Sequence, residues 1–112
     1  MAGSIEPRAL VFGGDNMLFT IFCIDKPNMA EKRAAVMPAH IEYMNAQENI
    51  KNIMSGPLMD DEMENIVGSL YLLDAPDRSA IEKFTEGDPL VAANIWKSTE
   101  IRAFNKRVDN RD

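Results

Sequence analysis

The chain has 112 residues, 46% of them hydrophobic and 27% charged, which suffices for one globular domain and not for two. Twelve Lys and Arg against eighteen Asp and Glu give a formal charge of −6, and no basic cluster offsets it, so nucleic acid is excluded as a partner. The longest apolar run, "MLFTIFCI", is eight residues and far too short for a membrane span, and the lone Cys23 has no disulfide partner.

Residues 1–16 read as an extension of unassigned role. "ALVF" has strand chemistry, "GGDN" turn chemistry, and Met17 would serve equally as a starting residue. No apolar secretory core precedes it, so a reducing, cytoplasmic compartment is expected. "MLFTIFCID", 17–25, then predicts a strand. Met17, Phe19, Ile21 and Cys23 occupy one parity and Leu18, Thr20, Phe22 and Ile24 the other. Both are largely apolar, so both faces of the strand are expected to be buried. Asn28 reads as the N-cap of a helix reaching about Gln47, with Ala30, Ala34, Met37, Ile41 and Met44 as its apolar stripe. Arg33, Val36, His40 and Tyr43 form a row beside that stripe. At roughly 100° per residue, Arg33 and His40 share nearly one azimuth.

"IKNIMSGPL", 50–58, predicts a second strand whose Pro57 places its end at a sheet edge or in a loop. The acidic connection "MDDEMEN" leads to a third strand, "IVGSLYLLD", 66–74. Asp77 caps a short helix ended by Gly87, and Asp88 with Pro89 at N1 begins a briefer one. "IWKSTEIRAFNKRV" closes as a long strand with Ile101 and Ala103 on one parity, before a polar tail at 108–112. The order predicts a ferredoxin-like α+β domain over 17–107: βαββαβ, with a four-stranded antiparallel sheet and the helices on one face. The third strand is also apolar on both parities, so the free sheet face requires a cover. The simplest cover is a second copy related by a two-fold axis, packed sheet to sheet as a homodimer.

Pro38 lacks an N–H and disfavours helical angles at Met37, so a break is expected there, with Pro38 opening a fresh segment. His40 would then lie in a first helical turn, where the dipole favours a neutral imidazole able to accept a proton. The alternative is a partly exposed histidine without a role. Asp88 is explained by capping alone, yet a carboxylate held by backbone amides also orients a histidine well. Cys23 reads as core packing and the eight methionines as packing. Asp60, Asp61, Glu62 and Glu64 lack calcium-loop spacing, and one His with one Cys cannot build a structural zinc site, so no metal is expected. "FGGDN" is a turn and no dinucleotide fingerprint, and no cofactor is expected.

"DKPNMAEKR", "PAHIEYM", "SGPL", "GSL" and "DPLVAA", in this order from residue 17 to about 107, resemble the YCII-related (YciI-like) family. The resemblance implies a ferredoxin-like protomer in a dimeric α+β barrel. It also implies a pocket between helices and sheet holding a His–Asp pair, here His40 and Asp88, with Arg33, Gly56, Pro57, Gly68 and Ser69 along its wall. Relatives in that family include an enzyme that eliminates chloride from a chlorinated hydroxylated aromatic. The wider barrel superfamily includes lactone isomerases and small monooxygenases. Two departures stand out: Met37 replaces the arginine usual before the proline, and Leu90 and Asn94 replace an aromatic and a glycine, which is expected to alter the pocket wall. The expectation is a small cofactorless enzyme that transfers protons with His40 and Asp88, isomerising or eliminating on a small cyclic or aromatic molecule, with Arg33 offsetting developing negative charge. The alternatives are a noncatalytic dimeric module that binds a small molecule or serves as an accessory subunit, and a protein in which His40 ligates haem.

Overall fold

The computed structural model describes residues 16–111, and the expectations for residues 1–15 and for residue 112 lie outside that range. The elements run β1 (Met17–Asp25), α1 (Ala30–Asn45), β2 (Lys51–Met59), β3 (Ile66–Ala75), α2 (Arg78–Glu86), α3 (Pro89–Ala92) and β4 (Trp96–Phe104). All strand pairs are antiparallel in the order β2-β3-β1-β4, which is the ferredoxin-like arrangement read from the sequence. Among the described residues no helix is long and apolar enough to cross a membrane.

The central position of β1 and β3 explains their apolar composition. Phe19, Ile21 and Cys23 from β1 and Tyr71, Leu73 and Ala75 from β3 face the helices and form the core with Ile81 and Phe84 of α2. The opposite parity is apolar yet open. Phe22 pairs in register with Leu70, and both remain about two-fifths exposed at 42% and 41%. Met54 and Phe104 extend the same exposed apolar surface. β2 runs through Pro57 to Met59 because it is an edge strand, where a missing ladder donor is tolerated. β4 ends at Phe104, shorter than the sequence suggested.

Three expectations for the first helix are corrected. Asn28 adopts a left-handed φ of 63° in the preceding turn, and Met29 stands at the N-cap without a side-chain bond. Helix α1 passes unbroken through Pro38. Pro38 and Ala34, whose carbonyl loses its partner, are both exposed, so water can satisfy the freed group. His40 therefore lies beyond the helix midpoint, and the dipole argument for it does not hold. Finally, the core-facing row is Arg33, Val36, His40 and Tyr43, while Ala30, Ala34 and Ile41 of the apolar stripe are exposed. Arg33 and His40 are the two buried residues of the helix. A polar row can face inward only where the sheet offers it partners, and that requirement locates the site.

Candidate active site

Arg33 and His40 are seven positions apart, so both descend from one face of α1 toward β3. On β3, Ser69 and Tyr71 are two residues apart and rise from the same face to meet them. Together with Met37, Gly56 and Pro57 they line a cleft of about 450 Å³ between α1 and the β2–β3 side of the sheet.

Asp88 enters from behind. It is fully buried, and its Oδ1 accepts the Leu90 backbone N–H at 2.9 Å, which is the N-cap bond that starts α3. The same Oδ1 lies 2.9 Å from His40 Nδ1. Capping and histidine orientation thus fall on one rigid carboxylate. Because a carboxylate accepts, Nδ1 carries the proton, and the lone pair of a neutral ring is left on Nε2, on the side of Tyr71 and the cleft. Asp88 Oδ2 is buried with no hydrogen-bond partner among the described residues. Among the described residues, His40 is the one basic side chain within hydrogen-bond reach of this carboxylate.

Arg33 is held differently from the sequence expectation. Its Nη1 donates to both oxygens of Asp25 at 2.9 and 2.8 Å, and Nη2 donates to the Ser69 hydroxyl. The side chains of Arg33 and Asp25 are each 5% exposed, so the guanidinium charge is cancelled locally. Asp25 reaches this position at the end of β1, where the pairing with β4 shifts register.

Tyr71 completes the cluster. Its hydroxyl oxygen lies 3.5 Å from His40 Nε2, long for a hydrogen bond, and its ring meets His40, Phe84 and Trp96 edge to face. Burial, reinforced by the Asp88 charge, raises the Tyr71 pKa well above the ordinary phenol value and keeps it an O–H donor. Burial likewise pushes the Cys23 thiol up to about 12, so this core cysteine stays protonated.

Gly68 stands apart from the other candidate residues, because it is not part of the cleft lining. A Cβ there would come within 2.0 Å of the Cys23 carbonyl oxygen, so glycine is required for the close approach of β1 and β3. Leu90 is fully buried in the core and Asn94 takes a left-handed φ of 61°; neither is among the residues that line the cleft. Met37 does line it, and no second cation is supplied there. In the acidic loop, Asp60 accepts the backbone N–H groups of Glu64 and Asn65 and the Asn65 side chain, which lowers its pKa and closes the turn between β2 and β3.

A family model for the YCII-related domain matches residues 17–105, the whole span of the sheet and helices. The chain belongs to the YCII-related family. This YCII-related domain is 26% identical over 96 residues to protein YciI of Escherichia coli O6:H1, covering 80% of this chain and 98% of that protein. In fold it is similar to 5-chloro-2-hydroxyhydroquinone dehydrochlorinase (TftG) of Burkholderia phenoliruptrix AC1100, solved with 2,5-dihydroxybenzoquinone. That likeness has a TM-score of 0.71 at 24% identity, covering 80% of this chain and 94% of TftG. It is also similar to a dimeric ferredoxin-like protein of unknown function from Thermobifida fusca YX, with a TM-score of 0.56 at 14% identity, covering 86% of this chain and 95% of the other.

Sequence reasoning missed Asp25 and Tyr71. Tyr71 had a usable signal, since it follows Ser69 by two residues on a strand and must share its face. Asp25 opens the "DKPNMAEKR" stretch that Arg33 closes, but their pairing spans a turn and a helix start that the sequence misplaced.

Proposed function

We propose that this YCII-related protein is a small cofactorless enzyme that moves protons on a compact cyclic or aromatic molecule, by isomerisation or elimination. The observation that carries the reading is the buried 2.9 Å contact between His40 Nδ1 and Asp88 Oδ1 beside a cleft of about 450 Å³. His40 Nε2 takes a proton from a carbon next to an electron-withdrawing group, and Asp88 fixes the tautomer and stabilises the imidazolium. The same nitrogen returns the proton in an isomerisation, or a leaving group departs with its electron pair in an elimination. A dehydrochlorinase among proteins of this fold supports that class of chemistry. Gly56, Pro57 and Ser69 form the binding wall, and Arg33, paired with Asp25, anchors Ser69.

A homodimer fits the exposed apolar surface around Phe22 and Leu70, and a similar structure is described as dimeric. A lone cysteine agrees with a cytoplasmic setting. The second reading, a dimeric binding or accessory module, is favoured by Met37 and by the cancelled charge of Arg33.

The test is incorporation of solvent deuterium, followed by NMR, into a panel of chlorinated or hydroxylated quinols and enolisable cyclic ketones. The expected result is exchange by the native protein and a loss of about 10²- to 10⁴-fold in His40→Gln with the fold retained. Equal exchange by both proteins removes the enzyme reading, and binding without exchange selects the module.

A further inference from the structure

We propose that the Tyr71 hydroxyl is the group that holds the substrate oxygen as negative charge develops on it, and that the substrate is a neutral ring compound with a keto oxygen beside the carbon that His40 deprotonates. This deepens the proton-transfer reading and rests on it.

Among the described residues the cleft is lined by one permanent cation, and both of its terminal nitrogens are committed. Arg33 gives one nitrogen to both oxygens of Asp25 and another to Ser69, at 4% overall exposure. Met37 offers no charge in its place. A carboxylated or phosphorylated substrate would enter without a free counter-charge, whereas a neutral one loses little on desolvation. Charge stabilisation in the reaction must then come from a neutral donor already in place.

Tyr71 has the placement and the rigidity. Its ring is fixed by the edges of His40, Phe84 and Trp96 at centroid separations of 6.0, 6.3 and 6.3 Å. Its oxygen stands 3.5 Å from His40 Nε2, so the two groups are neighbours without being strongly bonded to each other. A carbon acid whose C–H meets Nε2 brings its adjacent carbonyl oxygen within reach of the phenol. Ser69, which accepts from Arg33 Nη2, stands two residues from Tyr71 on the same face of β3.

The step balances with the groups at hand. Nε2 takes the proton, the C–H electron pair becomes the C=C bond, and the carbonyl π pair moves onto oxygen, where the Tyr71 O–H binds it without surrendering its proton. Collapse of this enolate either recovers the proton from the imidazolium at another carbon or expels a leaving group with its electron pair. No oxidant or reductant is consumed.

The test is equilibrium titration of the full chain with 4-nitrophenolate, an enolate mimic, and with nitrobenzene, which has the ring and lacks the oxygen. Tyr71→Phe preserves the aromatic packing and is expected to weaken 4-nitrophenolate about 10- to 100-fold while leaving nitrobenzene unchanged. Should Tyr71→Phe fail to fold, the native protein decides the matter: it is expected to bind 4-nitrophenolate at least about 10-fold more tightly than nitrobenzene, and equal affinity overturns the proposal. Equal effects on the two ligands, no effect, or no binding of 4-nitrophenolate to the native protein overturns the proposal. The proton-transfer reading is judged separately: deuterium exchange lost in His40→Gln but kept in Tyr71→Phe leaves that reading standing and ends this one.

Discussion

At the residue scale, Asp88 carries two duties that ordinary substitution can separate. Its Oδ1 caps α3 through Leu90 N–H and faces His40 Nδ1 at the same time. Asparagine caps a helix about as well as aspartate, but it is neutral and presents an amide that disturbs the histidine tautomer. Asp88→Asn is therefore expected to keep the thermal midpoint within a few degrees and to reduce turnover by up to about 10⁴-fold. Asp88→Ala removes the cap as well, and a further loss of about 0.5–2 kcal/mol should show in urea denaturation. Equal stability of the two variants would mean that the cap contributes nothing here.

At the element scale, the two glycines of the site region differ sharply in what surrounds them. Gly68 lies where β1 and β3 approach, and an added Cβ would sit 2.0 Å from the Cys23 carbonyl oxygen. Backbone cannot step aside as a side-chain tip can, so Gly68→Ala is expected to cost about 1–3 kcal/mol or more. Gly56 on the edge strand has nothing within 4 Å of its virtual Cβ, and Gly56→Ala should change stability by no more than about 0.5 kcal/mol. Paired urea curves check both. Helix α1 shows the same dependence on surroundings: its polar row is buried because β1, β3 and the α2–α3 turn supply Asp25, Ser69 and Asp88 to receive it.

At the scale of the whole molecule, the open sheet face dominates. Phe22, Met54, Leu70 and Phe104 are large, apolar and exposed on a single surface, more than an isolated domain of this size usually leaves in water. A charge planted at its centre should prevent sheet-to-sheet association and leave the helix-side core untouched. Leu70→Glu is accordingly expected to sediment with the mass of one 112-residue chain while its circular dichroism matches the native protein, which should sediment as two. A monomeric native protein would refute the covered-face argument.

The sequence determined the sheet, its topology and the family, because strand parity, caps and breakers act over a few residues and leave local signatures. It also placed Arg33 and His40 on one azimuth, a consequence of helical pitch alone. It misjudged Pro38, whose cost depends on whether the freed Ala34 carbonyl meets water, and of the apolar stripe it read on α1 only Met37 and Met44 turn inward. Only the tertiary structure decided that Arg33 is neutralised by Asp25, that Gly68 serves packing, and that Tyr71 stands beside His40 Nε2. Those facts depend on distances between segments far apart in the chain, and such distances are fixed by packing rather than by any local preference.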